Sequence, residues 1–143
     1  AIAQIKKRKP VESKYRIGYC GVPTIFNDLY QFLEQRGVSV VYNEMQRQFA
    51  MPFVTDNIVE QYMKYTYPYT YTHRIEDIRE QAAKRKLDGI IHYIQSFCHH
   101  QIYDRELKES IDLPALTLEG DKPGSLKEQT CIRLESFLEM LTL

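Results

Sequence analysis

Residues 87–98, with the sequence LDGIIHYIQSFC, decide the fold that this chain is expected to adopt. Asp88 and Gly89 form a turn signal, and residues 90–94 are a β-branched and aromatic run too short for a helix. Apolar residues in succession are typical of a strand covered on both faces, as in a parallel sheet between helices. The stretch therefore predicts a central buried strand that leads to Cys98 at its carboxyl end.

Strand and helix patterns alternate on the amino-terminal side of this stretch. Residues 15–21 have the pattern of a first strand, and Pro23 suits the first turn of a helix that ends at Gly37. Residues 39–44 form the second predicted strand. Residues 73–86 repeat apolar side chains at helical spacing and lead into the central strand.

The same alternation continues after Cys98. Residues 104–111 predict a short helix, and residues 113–119 predict the fourth strand. A loop follows, and Ser125 with Glu128 has the spacing of a capping box that starts a last helix.

Residues 45–72 interrupt the alternation and predict a helical insertion. Asn57 and its neighbours offer helix caps, and four tyrosines fall within residues 65–71. Because few basic residues flank these rings, we expect them to pack on the sheet or on another domain rather than to stack on nucleic-acid bases.

Composition limits the classes of protein that the chain can belong to. The chain has 143 residues, of which 43% are hydrophobic. Residues 15–143 suit one α/β domain, and residues 1–14 suit a linker or disordered start. Nineteen basic and nineteen acidic residues cancel, so the overall charge favours neither nucleic acid nor a membrane as partner. Three scattered cysteines indicate a reducing cytoplasm instead of a disulfide framework.

Together these elements predict a three-layer α/β domain of the Rossmann or flavodoxin-like type, with a mainly parallel four-stranded sheet in the order 2-1-3-4. Ligands bind such sheets beyond the carboxyl ends of the strands, at the point where the strand order reverses. Here that point lies between the first strand and the central strand, with Glu44 and the loop 119–124 beside it. The residues expected to contact a ligand there are Gly21, Val22, Pro23, Gln95 and Phe97.

Cys98 is the candidate metal ligand of this crevice, although a buried cysteine also serves as a small apolar filler. Ser96 is a candidate hydrogen-bond donor to a cofactor or substrate, and His99 is a candidate proton relay. His92, inside the strand, is expected to be a hydrogen-bonded core histidine. Glu44 and Glu119 are expected at strand ends, either as an acid-base pair or, more simply, as solvated carboxylates.

A zinc site is an alternative use of the same residues. Cys98, His99 and His100, joined by Cys20, would supply suitable ligands, but three adjacent residues on one loop rarely chelate one tetrahedral ion. The spacings C-x-x-C and H-x-x-x-H are both absent.

Three short segments in order give the chain a family resemblance. DGIIHYIQSFC at 88–98, PALTLE at 114–119 and RLESFLE at 133–139 resemble the carboxy-terminal domain of the 2-hydroxyacyl-CoA dehydratase and benzoyl-CoA reductase family. The resemblance runs from about Tyr15 to the end of the chain. It departs from the family at Ile132-Arg133, where members have a Thr-Arg pair.

The resemblance implies a [4Fe-4S] cluster held by cysteines from more than one domain, and it places Cys98 at the cysteine that this domain supplies. It implies an acyl-CoA substrate, other domains of a parent chain, a homologous dehydratase subunit and an ATP-dependent activator protein. The parent would carry out radical dehydration of a 2-hydroxyacyl-CoA or reduction of an aromatic acyl-CoA, whereas this fragment alone is expected to be inactive. A non-catalytic acyl-CoA-binding or assembly module on the same scaffold is the alternative.

Overall fold

Four parallel strands and six α-helices make up the part of the chain that the computed structural model describes, residues 12–65 and 71–142. The strands are β1 Tyr15–Gly21, β2 Val38–Asn43, β3 Gly89–Ile94 and β4 Ala115–Glu119. The helices are α1 Leu29–Glu34, α2 Glu44–Phe49, α3 Ile58–Lys64, α4 Tyr71–Arg85, α5 Asp104–Ser110 and α6 Glu128–Met140, with a short 3-10 helix at His99–Gln101.

The sheet has the order β2-β1-β3-β4, as the sequence predicted, and every neighbouring pair is parallel. The central strand β3 is buried at all six positions, which accounts for its continuous apolar composition. Gly21 at the end of β1 pairs with Tyr93 of β3. Because all four strands run the same way, their carboxyl ends meet at one edge of the sheet.

Helices cover both faces of the sheet, so the domain has the three predicted layers. One core joins the sheet to α1 and α6 through Leu29, Leu33, Leu134, Phe137 and Leu138. The other core joins the opposite face to α4 and α5 through Ile75, Ile78, Ala82 and Leu107. Within the described residues no helix is both long and apolar enough to cross a membrane.

The helix expected from Pro23 starts only at Leu29, so that prediction is wrong at its beginning. Residues 25–27 instead run beside Gly124, where the Asn27 N–H donates to the Gly124 carbonyl at 3.0 Å. The Asp28 carboxylate accepts from the Leu126 N–H at 2.8 Å instead of capping its own helix. Pairing of residues 25–27 with Gly124 therefore takes the place of a helix that starts at Pro23.

Two further element ends differ from the sequence prediction. The capping box is not formed, because α6 begins at Glu128 after Lys127 and the Ser125 hydroxyl donates to the Asn27 side chain. The second strand stops at Asn43, whose side chain accepts from the Gln46 N–H and caps α2. Glu44 consequently lies in a helix and not at a strand end.

The predicted insertion contains two short helices in its described part. The Asn57 side chain caps α3, as expected, by accepting from the Val59 N–H at 2.8 Å. The apolar stripe of α3, however, faces solvent: Ile58, Val59, Tyr62 and Met63 are all exposed. Of the four tyrosines, those at 67 and 69 lie outside the described residues, while Tyr71 stacks on Tyr103 with ring centroids 4.9 Å apart.

Gly21 is the position where the turn after β1 depends on the absence of a side chain. Its φ is +92°, and a Cβ built there would lie 2.1 Å from the carbonyl oxygen of Tyr93. That carbonyl also accepts from the Val22 N–H at 3.1 Å. The close approach of β1 and β3 at the carboxyl edge therefore requires glycine.

We expect Gly21→Ala to lower the free energy of unfolding by about 3 kcal/mol or more, because it adds a steric overlap to an unfavourable backbone conformation. Gly124→Ala is the matched control, since Gly124 also has a positive φ but a Cβ there meets nothing within 4 Å. Urea denaturation of both variants measures the difference. Equal losses in the two variants would contradict the steric account.

Candidate functional site

A buried ion pair holds the carboxyl edge together beneath β1. The Arg74 guanidinium of α4 donates to the Glu44 carboxylate of α2 through Nε at 2.5 Å and Nη2 at 2.9 Å. The same carboxylate accepts from the Gly21 N–H at 2.8 Å. Glu44 has no exposed surface and Arg74 is 2% exposed. The pair thus fixes the start of the turn after β1 to two helices.

The charge of Glu44 is retained despite its burial. Burial opposes the carboxylate form, but the Arg74 charge, its hydrogen bonds and the Gly21 N–H together hold the pKa of Glu44 below its ordinary value. The expectation of a solvated carboxylate at position 44 is therefore wrong. The expectation fits Glu119, which is exposed at the end of β4.

His92 extends this network across the sheet to β4. Its Nε2 lies 3.5 Å from Arg74 Nη2, and its Nδ1 lies 2.7 Å from Asp104 Oδ1. Because a guanidinium can only donate, this geometry fits the tautomer with the proton on Nδ1, directed at Asp104. Asp104 also accepts from Thr117 at 2.6 Å and Lys108 at 2.8 Å. His92 is thus a hydrogen-bonded core histidine, as the sequence suggested.

Cys98 lies on a turn that is fixed at both ends. The Cys98 N–H donates to the Gln95 carbonyl at 3.0 Å, and the Gln101 N–H donates to the Cys98 carbonyl at 3.0 Å. The Asp121 carboxylate accepts from the Ser96 N–H at 2.6 Å and from the Ser96 hydroxyl. The strand itself ends at Ile94, so Cys98 is half-buried in the loop beyond it.

His99 and His100 differ in their surroundings although they are adjacent. The His99 ring is exposed, and its centroid lies 4.1 Å from that of His100. His100 is only 2% exposed, and burial together with the nearby Arg74 charge lowers its pKa to about 4. His100 is therefore neutral at pH 7 and anchors the far end of the Cys98 turn in the interior.

Tyr93 joins two loops of this edge, a role that sequence reasoning missed. Its hydroxyl donates to the Gly120 carbonyl at 3.0 Å and accepts from the Ile25 N–H at 3.4 Å. Its ring meets the Phe26 ring edge-on, with centroids 5.8 Å apart. The sequence signal was a tyrosine next to His92 in a buried strand of mostly aliphatic residues, which indicates a hydroxyl that needs partners.

The predicted ligand contacts lie along the same edge but in different environments. Gly21 is buried, Val22 and Gln95 are half-buried, and Pro23 and Phe97 are exposed. Ser96 is already bonded to Asp121 of the β4 loop. A groove of about 250 Å³ lies beside that loop and is lined by Phe26, Glu119, Gly120, Asp121, Lys122, Lys127 and Thr130.

The cysteines do not gather at one place. Cys20 is fully buried against α4, and burial, followed by the Glu44 charge, raises the pKa of its thiol well above the ordinary value. Cys131 lies in α6. Among residues 12–65 and 71–142, no group of three or more His, Cys, Asp or Glu side chains is arranged to hold a metal ion, so the zinc set is not assembled there.

A four-stranded parallel sheet with helices packed on both faces defines this chain as a three-layer α/β domain. Comparison with known families gives the particular group. The family model described as 2-hydroxyglutaryl-CoA dehydratase, D-component, matches residues 1–141, and the chain belongs to this family. The resemblance found in the three short segments is thereby confirmed.

A curated relative is the (R)-phenyllactyl-CoA dehydratase beta subunit of Clostridium sporogenes. It is 27% identical over 150 aligned positions, which cover 93% of this chain and 39% of the relative. The chain therefore spans about two fifths of the length of this curated relative.

We expect Arg74→Met to lower the free energy of unfolding by about 3–5 kcal/mol, because it leaves the Glu44 carboxylate buried without its cation. Adding Glu44→Gln removes that charge and keeps an acceptor for Gly21, so the double variant should be more stable than the sum of the two single losses predicts. Urea denaturation of the four proteins measures the coupling.

The exposed pair Arg105 and Glu109 is the matched control for this cycle, since its side chains are 86% and 61% exposed. Little coupling is expected there. Additive losses at Glu44 and Arg74 would show that the two side chains do not depend on each other.

Asp104 should make stability depend on pH. Partial burial opposes its charge, but hydrogen bonds from His92, Lys108 and Thr117 hold its pKa well below the ordinary value. Its contribution is therefore present above about pH 4, where an unfolded aspartate is ionised, and is lost as the pH falls towards the lower folded pKa. Asp104→Asn should cost about 1 kcal/mol or more at pH 7, and this cost should shrink below pH 4.

Urea denaturation at several pH values tests this expectation. Asp56→Asn is the control, because Asp56 is exposed and should leave the profile unchanged. A cost of Asp104→Asn that stays constant from pH 7 to pH 2 would contradict the assignment.

Proposed function

We propose that this domain works within a longer 2-hydroxyacyl-CoA dehydratase component, to which it contributes the Cys98 thiolate as one ligand of a [4Fe-4S] cluster. The proposal rests on the position of Cys98 in the fold of a chain that belongs to the dehydratase family. It is a half-buried thiol on a fixed turn at the carboxyl edge of the central strand. Thiolate is the ligand type that such clusters take.

The described residues could supply only part of the ligand set of a [4Fe-4S] cluster. Cys20 is buried in the core, where the pKa of its thiol is raised. Cys131 lies in α6, which packs on the opposite face of the sheet from Cys20. The remaining ligands would come from polypeptide outside the described residues. When bound, a [4Fe-4S] cluster supplies one-electron chemistry.

The residues around Cys98 have positioning roles in this proposal. Asp121 holds Ser96, which keeps the turn in one conformation, and the buried His100 holds its other end. The pair Glu44 and Arg74 fixes the Gly21 N–H on the neighbouring strand. Val22, Pro23, Gln95 and Phe97 then border the space where an acyl-CoA thioester would lie, and His99 is the exposed imidazole available as a proton relay.

The reaction of the whole protein follows by analogy with the relative, which is named a dehydratase of (R)-phenyllactyl-CoA. We infer dehydration of a 2-hydroxyacyl-CoA by radical chemistry, with an ATP-dependent activator protein as electron donor. Because that relative is a beta subunit, a homologous second subunit is the expected partner. Reduction of an aromatic acyl-CoA is the related reaction of the wider family.

We expect Cys98→Ser to reduce the iron and acid-labile sulfide of the full-length protein when it is purified without oxygen, because serine replaces a soft ligand with a hard one. Cys131→Ser is the matched control, since Cys131 is also partly buried but lies in α6. It should retain the wild-type iron content and reduced-state paramagnetic signal.

Unchanged iron content and an unchanged paramagnetic signal in Cys98→Ser would show that Cys98 is not a cluster ligand. Absence of iron from the wild-type protein would instead favour the non-catalytic acyl-CoA-binding or assembly module.

A further inference from the structure

The apolar side of α3 is turned away from the rest of the domain. The helix has no buried residue. Five apolar side chains of the helix and of the loop before it are each more than half exposed, and we call them the α3 surface: Val54, Ile58, Val59, Tyr62 and Met63. Within the part of the chain that the structure describes, seven of the twelve exposed large hydrophobic side chains lie between positions 49 and 63. Exposed apolar area is therefore concentrated around this one helix.

The charged side of α3 accounts for this orientation. Lys64 lines a groove together with His73, Glu76 and Glu80 of α4, and its amine donates to the Glu60 carboxylate at 2.8 Å. The helix therefore turns its basic end towards acidic side chains of the domain and its apolar stripe towards solvent. An ordinary surface helix has the reverse arrangement.

A helix as short as α3 depends on burial for its stability. It has seven residues, and an isolated helix of that length is unstable in water because its nucleation is costly. The Asn57 cap and the exposed ion pair of Glu60 and Lys64 add little to it. Most of the stability of protein helices comes from packing of an apolar face. That packing is available to α3 only if another polypeptide covers the α3 surface.

We propose that the α3 surface binds the homologous partner subunit, an inference that rests on the proposed function. Five side chains of this size and exposure present on the order of 500 Å² of apolar surface, as much as the largest patch on a typical monomer. A stable interface takes roughly 800 Å² from each partner. The α3 surface is thus large enough to form the centre of a subunit interface.

The composition of the α3 surface favours a subunit over another domain of the same chain. Contacts between the domains of one chain are comparatively polar. Permanent subunit interfaces instead have an apolar centre in which aromatic side chains and methionine are enriched. Tyr62 and Met63, beside three β-branched side chains, match the second kind of interface.

Charge favours a different subunit over a second copy of this component. The charged side chains of residues 50–64 are two acidic and one basic: Asp56, Glu60 and Lys64. Symmetric pairing of two copies brings the same patch of each together, and with it the acidic side chains. The contact surface of the partner is therefore expected to have an apolar centre bordered by lysine or arginine.

Hydrogen–deuterium exchange shows whether the partner covers α3. The full-length component is measured alone and in complex with the homologous dehydratase subunit, co-expressed from the same organism. In the component alone, the backbone amides of residues 58–64 are expected to exchange rapidly. In the complex they should exchange about tenfold more slowly or more, because the helix then opens far less often.

Val59→Glu tests the contact itself. It places a charge in the α3 surface, in the first turn of the helix, where a carboxylate favours the helical conformation. Without the partner, the melting temperature of the full-length component should not fall. The dissociation constant of the complex, measured by analytical ultracentrifugation, should rise about tenfold or more.

Ile132→Glu is the matched control for this variant. Ile132 is also β-branched and is 55% exposed, compared with 64% for Val59. It lies in α6, which packs on the opposite face of the sheet from α4. This variant should leave the dissociation constant unchanged.

Four results would overturn the inference. Slow exchange of residues 58–64 in the component alone would mean that another domain of its own chain covers α3, and slowing that grows with its concentration would mean that a second copy does. A lower melting temperature of Val59→Glu without the partner would mean that the side chain packs within the component. Equal affinity of Val59→Glu and the wild type would exclude the α3 surface from the interface.

The same preparations separate this inference from the proposed function. If the wild-type component forms no complex with the homologous subunit, the proposed partner and this inference are both wrong. A complex that contains no iron would contradict the proposed role of Cys98, whereas the affinity of Val59→Glu would still decide the role of α3.

Discussion

The carboxyl edge of this domain depends on one interaction, the buried ion pair of Glu44 and Arg74 with the Gly21 N–H as its third member. Removing two charges from water is costly, and such pairs add little stability compared with apolar packing. What the pair does provide is a defined geometry, because it joins β1 to two helices and, through His92, to Asp104 and β4. The edge is thereby held as one unit.

The sheet could be predicted because its signals are local. The apolar run of β3 can be satisfied only inside a sheet covered on both faces, and its pairing with β1 and β4 follows from the alternation of elements. Helix starts were predicted less well, because they depend on distant partners. Asp28 caps the backbone of Leu126, 98 positions away, so neither Pro23 nor Ser125 begins a helix.

The candidate site was predicted only in part, again because its side-chain contacts join residues that are far apart in the chain. Topology alone brought Gly21 and Cys98 to one edge, but it could not show that Glu44 is buried, since that depends on Arg74, 30 positions further along the chain. A carboxylate and an arginine in separate helices carry no pairing signal in a single sequence. The fully exposed ring of Phe97 was likewise invisible, because left-handed conformations of bulky residues are set by the surrounding turn.

We propose above all that this domain delivers Cys98 to an iron-sulfur cluster whose other ligands lie outside the described residues. The most direct test is a crystal structure of the full-length protein, grown without oxygen, with diffraction data collected at the iron absorption edge. The account predicts an anomalous iron peak within bonding distance of the Cys98 sulfur, with the other ligands supplied from outside this domain. Iron bound elsewhere in the protein, with the Cys98 thiol free, would contradict it.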